Sequence, residues 1–431
     1  MFNKTDWGHN FNIEKVKHYI LLALFFFIPS TPKIASILTI LFVLVSLWDV
    51  KNIKLEQIKA YKDFPIYILI YVILLIGLTY SFDFATGILK VQTQISLLVF
   101  PLFLGGQLLS SKRRTIFMNS FVAGTGFTVI LAFLNACVRY FQNNSAYVTD
   151  ELSRRHSIFF YDEFSKFLDL HPTYFSLYLG LAIFYLIVTP FQKKGTPFFL
   201  KVGVLPLLFI ALFLTSSKAG IFSFLLLSMG FLIYKAFRTR HRKYIYLLGI
   251  MLVSAVVMFF TNPMLVKRST QMISSVDKVF FNNEKIKEST GIRLNLWHLS
   301  IESAKENLVL GHGTGSVFKI LNENCIQFYS FSVCEGLRNK NSHNEYLNFV
   351  VSNGLIALLL FLSALIIGLW RAVYKRDLLS IFFITFMAIN FLFESLLQRE
   401  RGVLFFMVFV VMLTITQKPA KKNLDAKEAK L

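Results

Sequence analysis

Repeated apolar blocks, each near the length of a membrane-spanning helix, constrain the fold of this chain more than any other feature. A spanning helix needs about 20 mainly apolar residues, with roughly 17 to 25 tolerated. The sequence predicts about twelve such spans, the first two of them short and joined through "PSTP". The predicted spans are Lys17–Ile28, Lys33–Trp48, Pro65–Tyr80, Gly87–Leu109, Ile116–Tyr140, Thr173–Val188, Phe198–Leu214, Ala219–Phe237, Tyr244–Phe260, Tyr346–Trp370, Leu378–Phe393 and Val403–Thr416.

The composition agrees with a lipid environment. The chain is 55% hydrophobic and 16% charged, whereas a soluble chain carries about 25% charged residues. A net charge of +21 also fits nucleic-acid binding, but the basic residues lie in short clusters between apolar blocks, the positive-inside pattern of membrane proteins. We therefore predict an all-α polytopic membrane protein in contact with lipid, with residues 1–431 as one integral membrane domain and no nucleic-acid partner.

The connectors predict the topology. Every second connector is basic, which places both termini in the cytoplasm. The first thirty residues lack a small-residue cleavage site, so we expect no signal peptide. Two connectors on the opposite side are long. The shorter of the two is a periplasmic loop at 142–170, and the larger is a periplasmic loop at 261–342. Loops of this length are usually functional. The basic tail at 418–431 is predicted to be disordered.

His343 lies where the large polar loop enters the tenth apolar block. Helical spacing puts it on one face with Tyr346, Gly354 and Ala357, and the two small residues would allow a neighbouring helix to approach closely. An imidazole at this edge could act as a general base towards a sugar hydroxyl. The alternative is an interfacial histidine that caps a helix or bonds a carbonyl.

Three cations could hold an anionic group. Arg293 lies in a predicted amphipathic helix on the outer membrane surface, opening at Ser289 or Thr290, with Trp297 on the same face as Arg293. A guanidinium can bind a phosphate in bidentate fashion, although a snorkelling arginine is the alternative. Lys218 lies at a predicted helix N-terminus, a position that favours an anion. Lys90 lies inside an apolar block and should face the bundle interior, towards the same ligand.

Weaker candidates surround these residues. The glycines of "GHGTGS", among them Gly313, predict a turn with positive φ, because the segment lacks the ending of a nucleotide-binding loop. His171 and Tyr174 open the sixth span and could shape the site, although Pro172 alone accounts for a helix start. His298 and His312 lack partners at metal-ligand spacing, so we predict no metal and no cofactor.

The cysteines leave one question open. Cys325 and Cys334 share the large loop and could form a disulfide in an oxidising compartment, whereas the spacing alone does not decide it. Cys137 lies within an apolar span as a packing residue.

Three segments resemble the O-antigen ligase and O-antigen polymerase family of membrane glycosyltransferases. They are "LTSSKAG" at Leu214–Gly220, the arginine, tryptophan and Gly-x-Gly segment at Gly291–Ser316, and the "HNEYLNFVVSNGLIA" pattern at His343–Ala357. Lysine stands at Lys218 where the family usually has arginine, so the charge is kept and the fork-shaped donor set is lost. Ala357 replaces a more typical Gly, Thr or Tyr.

The resemblance implies a GT-C-like fold and metal-independent transfer of a glycan from an undecaprenyl-diphosphate carrier. It implies that His343, beside Asn344 and above Gly354, activates the acceptor hydroxyl, and that Arg293 and Lys218 hold the diphosphate. The acceptor would be lipid A-core for a ligase of lipopolysaccharide biosynthesis, or another lipid-linked glycan for a polymerase. A transporter or flippase for lipid-linked glycans is the alternative from a different class.

Overall fold

A computed structural model describes residues 13–49, 64–104, 111–142, 158–189, 203–277 and 289–414. Regular structure in these ranges is entirely helical. The helices are α1 (Ile13–Phe27), α2 (Pro32–Trp48), α3 (Phe64–Leu78), α4 (Phe84–Thr93), α5 (Ser96–Leu104), α6 (Ser111–Gln142), α7 (Tyr161–Ser165), α8 (Pro172–Val188), α9 (Leu205–Leu214), α10 (Lys218–Thr239), α11 (Arg242–Thr261), α12 (Pro263–Asp277), α13 (Ser289–Glu306), α14 (Val317–Phe328), α15 (Phe331–Leu337), α16 (Glu345–Tyr374), α17 (Leu378–Phe391) and α18 (Glu400–Thr414).

Two helices form the centre of the bundle. Every residue of α8 from Pro172 to Leu186 is buried, and so is every residue of α18 from Gly402 to Leu413. Aromatic rings fill the space between them and their neighbours, as in the edge-on contact of Tyr178 with Phe405 at 4.8 Å between centroids. Because both helices are apolar on all sides, they require a shell of other helices around them.

Length and composition identify the candidate membrane spans. Within the described ranges, five helical stretches are long and apolar enough to cross a membrane, namely 84–104, 112–142, 218–239, 242–261 and 345–374. Residues 161–168 and 172–188 could form a sixth, bent by 87°, and four further apolar helices are shorter. The described part of the chain is thus all-helical and has the apolar helices of a multi-pass membrane protein, while the count of about twelve spans and the GT-C-like arrangement stay predictions.

The segment predicted as the large polar loop is mostly helical and has a core of its own. Leu296 and Leu299 of α13 are fully buried against α14 and the first turns of α16. Helix α13 therefore packs its predicted apolar face within the protein, while its location on the outer membrane surface stays a prediction. The open question of the cysteines is resolved, because Cys325 and Cys334 form a disulfide with their Cα atoms 5.7 Å apart.

Helix α16 differs from the continuous helix that spacing predicted. His343 has φ +43° and precedes the helix, which begins only at Glu345 with Asn344 as its N-cap. Within the helix, the helical conformation is interrupted at Gly354, where φ is +71° and ψ −172°. The single face drawn from His343 to Ala357 is therefore wrong, because periodicity assumes helical dihedrals at every position.

The glycine-rich turn is docked at this break. Gly311, Gly313 and Gly315 all have positive φ, as predicted. The Gly313 amide donates to the Ser352 carbonyl at 2.8 Å, and the Leu355 amide donates to the Leu308 carbonyl at 2.9 Å. These bonds satisfy backbone groups that the break removes from the helix ladder. The close approach at Gly354 is thus made by a loop and not by a neighbouring helix.

Replacing Gly354 with alanine is expected to lower the free energy of unfolding by roughly 3 kcal/mol or more. A Cβ there would lie 2.0 Å from the Val309 carbonyl oxygen, in a conformation that L residues avoid. Thermal unfolding of the purified protein in detergent measures the effect. Gly249→Ala is the matched control, since a Cβ at Gly249 meets nothing within 4 Å. Equal melting temperatures for both variants would contradict the packing described here.

Candidate active site

Three segments far apart in the sequence meet around Glu394. Its Oε1 lies 2.8 Å from Nδ1 of His343, and its Oε2 lies 3.1 Å from Nη2 of Arg293. The three side chains retain 27%, 13% and 21% of their accessible surface for His343, Glu394 and Arg293. The group is thus ordered by the protein and still reachable from outside.

The carboxylate decides which nitrogen of His343 carries the proton. Burial raises the pKa of the Glu394 carboxyl, but the hydrogen bond to His343 and the charges of protonated His343 and of Arg293 outweigh it and bring this pKa to about 2. An ionised carboxylate only accepts hydrogen bonds. The neutral imidazole must therefore carry its hydrogen on Nδ1, which leaves the Nε2 lone pair for a substrate proton.

Glu394→Gln is expected to destabilise the protein most above about pH 4.5 and progressively less as the pH falls towards 2. The sign follows from the lowered pKa, because the ionised carboxylate stabilises the folded state until it is protonated. Melting temperatures of both proteins, measured at about pH 6 and about pH 2.5, test this dependence. Glu323→Gln removes an exposed carboxylate that lies 4.0 Å from the Lys319 ammonium and serves as the control. A difference that does not change with pH would contradict the proposed pairing of Glu394.

Buried Glu345 fixes the connector that carries Glu394. Its Oε2 accepts from the Leu397 amide at 2.7 Å and its Oε1 from Nε2 of Gln398 at 3.1 Å. Ser395 adds a further bond, accepting from the Asn344 amide at 3.1 Å. The start of α16 and the connector between α17 and α18 are therefore held as one unit, so His343 and Glu394 keep their relative position.

Further cations lie beside Arg293. Arg293 bonds the side chain of Ser289, and Lys218 donates to Oγ1 of Thr290 at 2.8 Å, so both cations lie at the N-terminal end of α13. Lys218 also donates to the Arg268 carbonyl at 3.4 Å. The first N–H groups of a helix have no partner within it and favour an anion. The end of α13 thus combines backbone donors with two side-chain cations.

Arg268 is a third cation, supplied by α12. Its guanidinium lies 3.6 Å from the ring centroid of Tyr161, and its buried Nη1 has no hydrogen-bond partner among the described residues. Burial lowers the pKa of Arg268, the charge of Arg293 lowers it further, and Tyr161 raises it. Arg268 and Arg293 are therefore close enough to interact, and Tyr161 brings the described part of the shorter loop, residues 158–170, to this region.

The other predicted residues divide into two groups. Trp297 donates to the His343 carbonyl at 3.5 Å, Asn344 caps α16 by accepting from the Leu347 amide, and His171 caps α8 and lies within electrostatic reach of Glu394. Tyr174 is buried next to His171. These four residues border the site, whereas Gly313 supports it from the docked turn.

Lys90 is not in contact with the triad of His343, Glu394 and Arg293. Its ammonium donates to the Gln398 carbonyl at 3.4 Å and lies 5.2 Å from the centroid of the Phe318 ring. It lines a separate cavity that Gln398 also borders. Its role in holding the diphosphate stays a prediction.

Sequence reasoning missed Glu394 and Arg268. Glu394 follows directly after the eleventh predicted span, at the start of the short connector "ESLLQRERG". An ionisable residue at the end of an apolar block, on the same side as His343, was the available signal. Arg268 lies in a polar stretch whose sequence has no feature that distinguishes it from an ordinary loop. Across the described ranges, no group of three His, Cys, Asp or Glu side chains is placed to hold a metal ion.

Residues 203–362 match the model of a protein family described as O-antigen ligase. The matched segment, less than half of the chain, is similar to the O-antigen ligase family. The match includes Lys218, Arg268, Arg293 and His343, together with the three segments that carry the resemblance, while Glu394 lies beyond it. O-antigen ligase family proteins are glycosyltransferase-like enzymes, ligases or polymerases, and act on lipid-linked glycans. The chain has no match among curated proteins.

Proposed function

We propose that this protein transfers a glycan from an undecaprenyl-diphosphate carrier to a sugar hydroxyl of lipid A-core, at the periplasmic face of the inner membrane. The observation that carries the proposal is the triad itself: a carboxylate that orients an imidazole and at the same time contacts a guanidinium. In this proposal His343 is the base and Arg293 the phosphate-binding cation, and each contacts a different oxygen of the Glu394 side chain.

His343 would remove the proton of the acceptor. The acceptor O–H donates to Nε2, its oxygen attacks the anomeric carbon of the donor, and the bond from that carbon to the diphosphate oxygen breaks. Glu394 stabilises the imidazolium that forms, as an orienting carboxylate does in other acid–base sites. The proton then leaves Nε2 for solvent, which the partial exposure of His343 permits.

The diphosphate would depart towards the end of α13. It leaves as an anion, so it needs positive charge and no proton donor. Arg293, Lys218 and Arg268 supply three cations there, and only Glu394 opposes them within the triad. Fixed cations in a partly desolvated site stabilise such developing charge by several kcal/mol, so the step requires no metal ion.

Two observations support an outer-face location. The disulfide lies in the same segment as the site, and disulfides persist in oxidising compartments such as the periplasm. The basic connector at Arg238–Lys243 links α10 and α11 at the end remote from Lys218, as expected if that end is cytoplasmic.

Transfer by purified protein tests the proposal. Protein in detergent is mixed with an undecaprenyl-diphosphate-linked glycan and lipid A-core, and the product is followed by gel. Transfer without a sealed membrane rules out a transporter. Deletion of the gene separates ligase from polymerase: we expect loss of all long glycans on lipid A, whereas a product with a single repeat would identify a polymerase.

A further inference from the structure

The connector between α17 and α18, which carries Glu394, is bonded from one side by helix α4. Nε2 of Gln94 donates to the Leu397 carbonyl at 3.0 Å, and the Lys90 ammonium donates to the Gln398 carbonyl at 3.4 Å. Gln94 is the C-cap of α4 and lies about one turn after Lys90, so the two side chains project from the same side of the helix. Two successive carbonyls of the connector are therefore bonded to α4.

Helix α16 bonds the same two residues of the connector from the other side. The buried carboxylate of Glu345, the first residue of α16, accepts from the Leu397 amide at 2.7 Å and from Nε2 of Gln398 at 3.1 Å. Glu394 lies three positions before Leu397. A shift of the connector would therefore move the Glu394 carboxylate relative to His343.

Lys90 also supplies positive charge to a buried carboxylate. Glu345 is 0% exposed, and the Lys90 ammonium lies within electrostatic reach of it. A buried charge that loses its opposite charge is strongly destabilising, and an ionisable residue inside an apolar block usually has such a partner. Because Lys90 bonds the connector, its effect on the triad passes through Gln398 and Glu345.

We propose that Lys90 and Gln94 are positioning residues of the candidate active site, which hold the connector from α4 and so keep the Glu394 carboxylate on Nδ1 of His343. The inference rests on the proposed function and adds to it two residues that act through Glu394. In this role neither side chain touches the acceptor or the diphosphate, so Lys90 acts in a different way from a diphosphate-binding cation.

Gln94→Met and Lys90→Met test the inference, because methionine has nearly the length of either side chain and donates no hydrogen bond. We expect kcat for glycan transfer to fall about 10-fold in each variant, since a small displacement of a catalytic group is costly, while KM for donor and acceptor is unchanged. Lys90→Arg keeps the charge and a donor and should recover most of the loss. An unchanged kcat in Gln94→Met, or a rise in KM that accounts for the whole loss, would overturn the inference.

Two further variants separate positioning from a general loss of stability. Gln92→Met makes the same substitution at an exposed position of α4 and should turn over like the unmodified protein. If Lys90→Met prevents folding because Glu345 is left without its cation, the double variant Lys90→Met with Glu345→Gln removes both charges and replaces it. A similar loss of kcat in Gln92→Met would contradict the role of the two bonds.

A double-mutant cycle shows whether the effect passes through Glu394. In a Glu394→Ala background the carboxylate to be positioned is absent, so Gln94→Met should lower kcat by less than about 2-fold. A merely structural role of Gln94 would give the same fold-loss in both backgrounds. Equal losses would therefore overturn the inference.

Binding of sugar-free undecaprenyl diphosphate distinguishes the two roles of Lys90. Positioning predicts that Lys90→Met leaves this affinity unchanged, whereas a cation that holds the diphosphate would weaken it on removal. Weakened affinity would assign Lys90 to the diphosphate and overturn its positioning role.

Hydrogen–deuterium exchange at the Leu397 amide keeps the inference separate from the proposed function. Loss of either bond from α4 should loosen the connector, so peptides that contain this amide are expected to exchange faster in Gln94→Met and Lys90→Met than in Gln92→Met. Faster exchange in a protein that transfers nothing would refute the proposed function and leave the hold on the connector standing. Transfer at the normal rate with unchanged exchange in both variants would refute the inference alone.

Discussion

Replacing His343 with alanine is expected to lower the rate of glycan transfer by about 10²- to 10⁴-fold, the usual contribution of a general base. The acceptor hydroxyl would keep its proton in this variant. In the unmodified protein the Glu394 carboxylate contacts Nδ1 of His343, on the side of the ring away from Nε2, the nitrogen proposed to take the proton. The protein should still insert and fold, since His343 is partly exposed and lies before the first residue of α16.

Turnover with lipid-linked donor and lipid A-core measures this effect, with size-exclusion chromatography as the test of folding. His343→Gln sharpens it, because glutamine can still bond Glu394 but cannot take up a proton. The matched control is His298→Ala on α13, where His298 contacts the Tyr329 hydroxyl at 2.9 Å and takes no part in the triad. Unchanged turnover in His343→Ala would remove the base from the proposed mechanism.

Local patterns predicted the parts of the site that depend on neighbouring residues. The helix start at Lys218, the helix from Ser289 and the positive φ of the three glycines follow from capping chemistry, apolar spacing and the absence of a Cβ. Each of these signals spans only a few residues. They placed Arg293 and Lys218 on the correct elements, although not in contact with their partners.

Such local patterns could not predict contacts between residues that are far apart in the sequence. Glu394 meets His343 from 51 positions away and Arg293 from 101 positions away, and no periodicity links residues at those distances. The break at Gly354 is also a tertiary effect, because the turn at Leu308–Gly313 supplies the bonds that the helix ladder loses. The sequence named Arg293, Lys218 and His343 as candidates, whereas the carboxylate of Glu394, which contacts two of them, emerged only from the fold.

Replacing Arg293 with alanine is expected to lower kcat/KM for the lipid-linked donor by about 10²- to 10³-fold. The guanidinium faces the end of α13, where the diphosphate would bind, and it neutralises Glu394 next to the proposed base. Arg293→Lys should recover part of the loss, because lysine restores the charge but cannot reproduce the contacts that Nε and Nη2 make with Phe393 and Glu394.

Affinity for sugar-free undecaprenyl diphosphate separates the two roles of Arg293. If the guanidinium binds phosphate, Arg293→Ala weakens this affinity and Arg293→Lys restores most of it, because a phosphate responds to charge. If Arg293 only positions Glu394, affinity is unchanged in both variants and turnover alone falls. Lys305→Ala removes an exposed cation from the same helix, remote from its N-terminus, and should change neither quantity. Unchanged diphosphate affinity in Arg293→Ala would therefore contradict the phosphate-binding role, while leaving the pair of His343 and Glu394 as the remaining basis for catalysis.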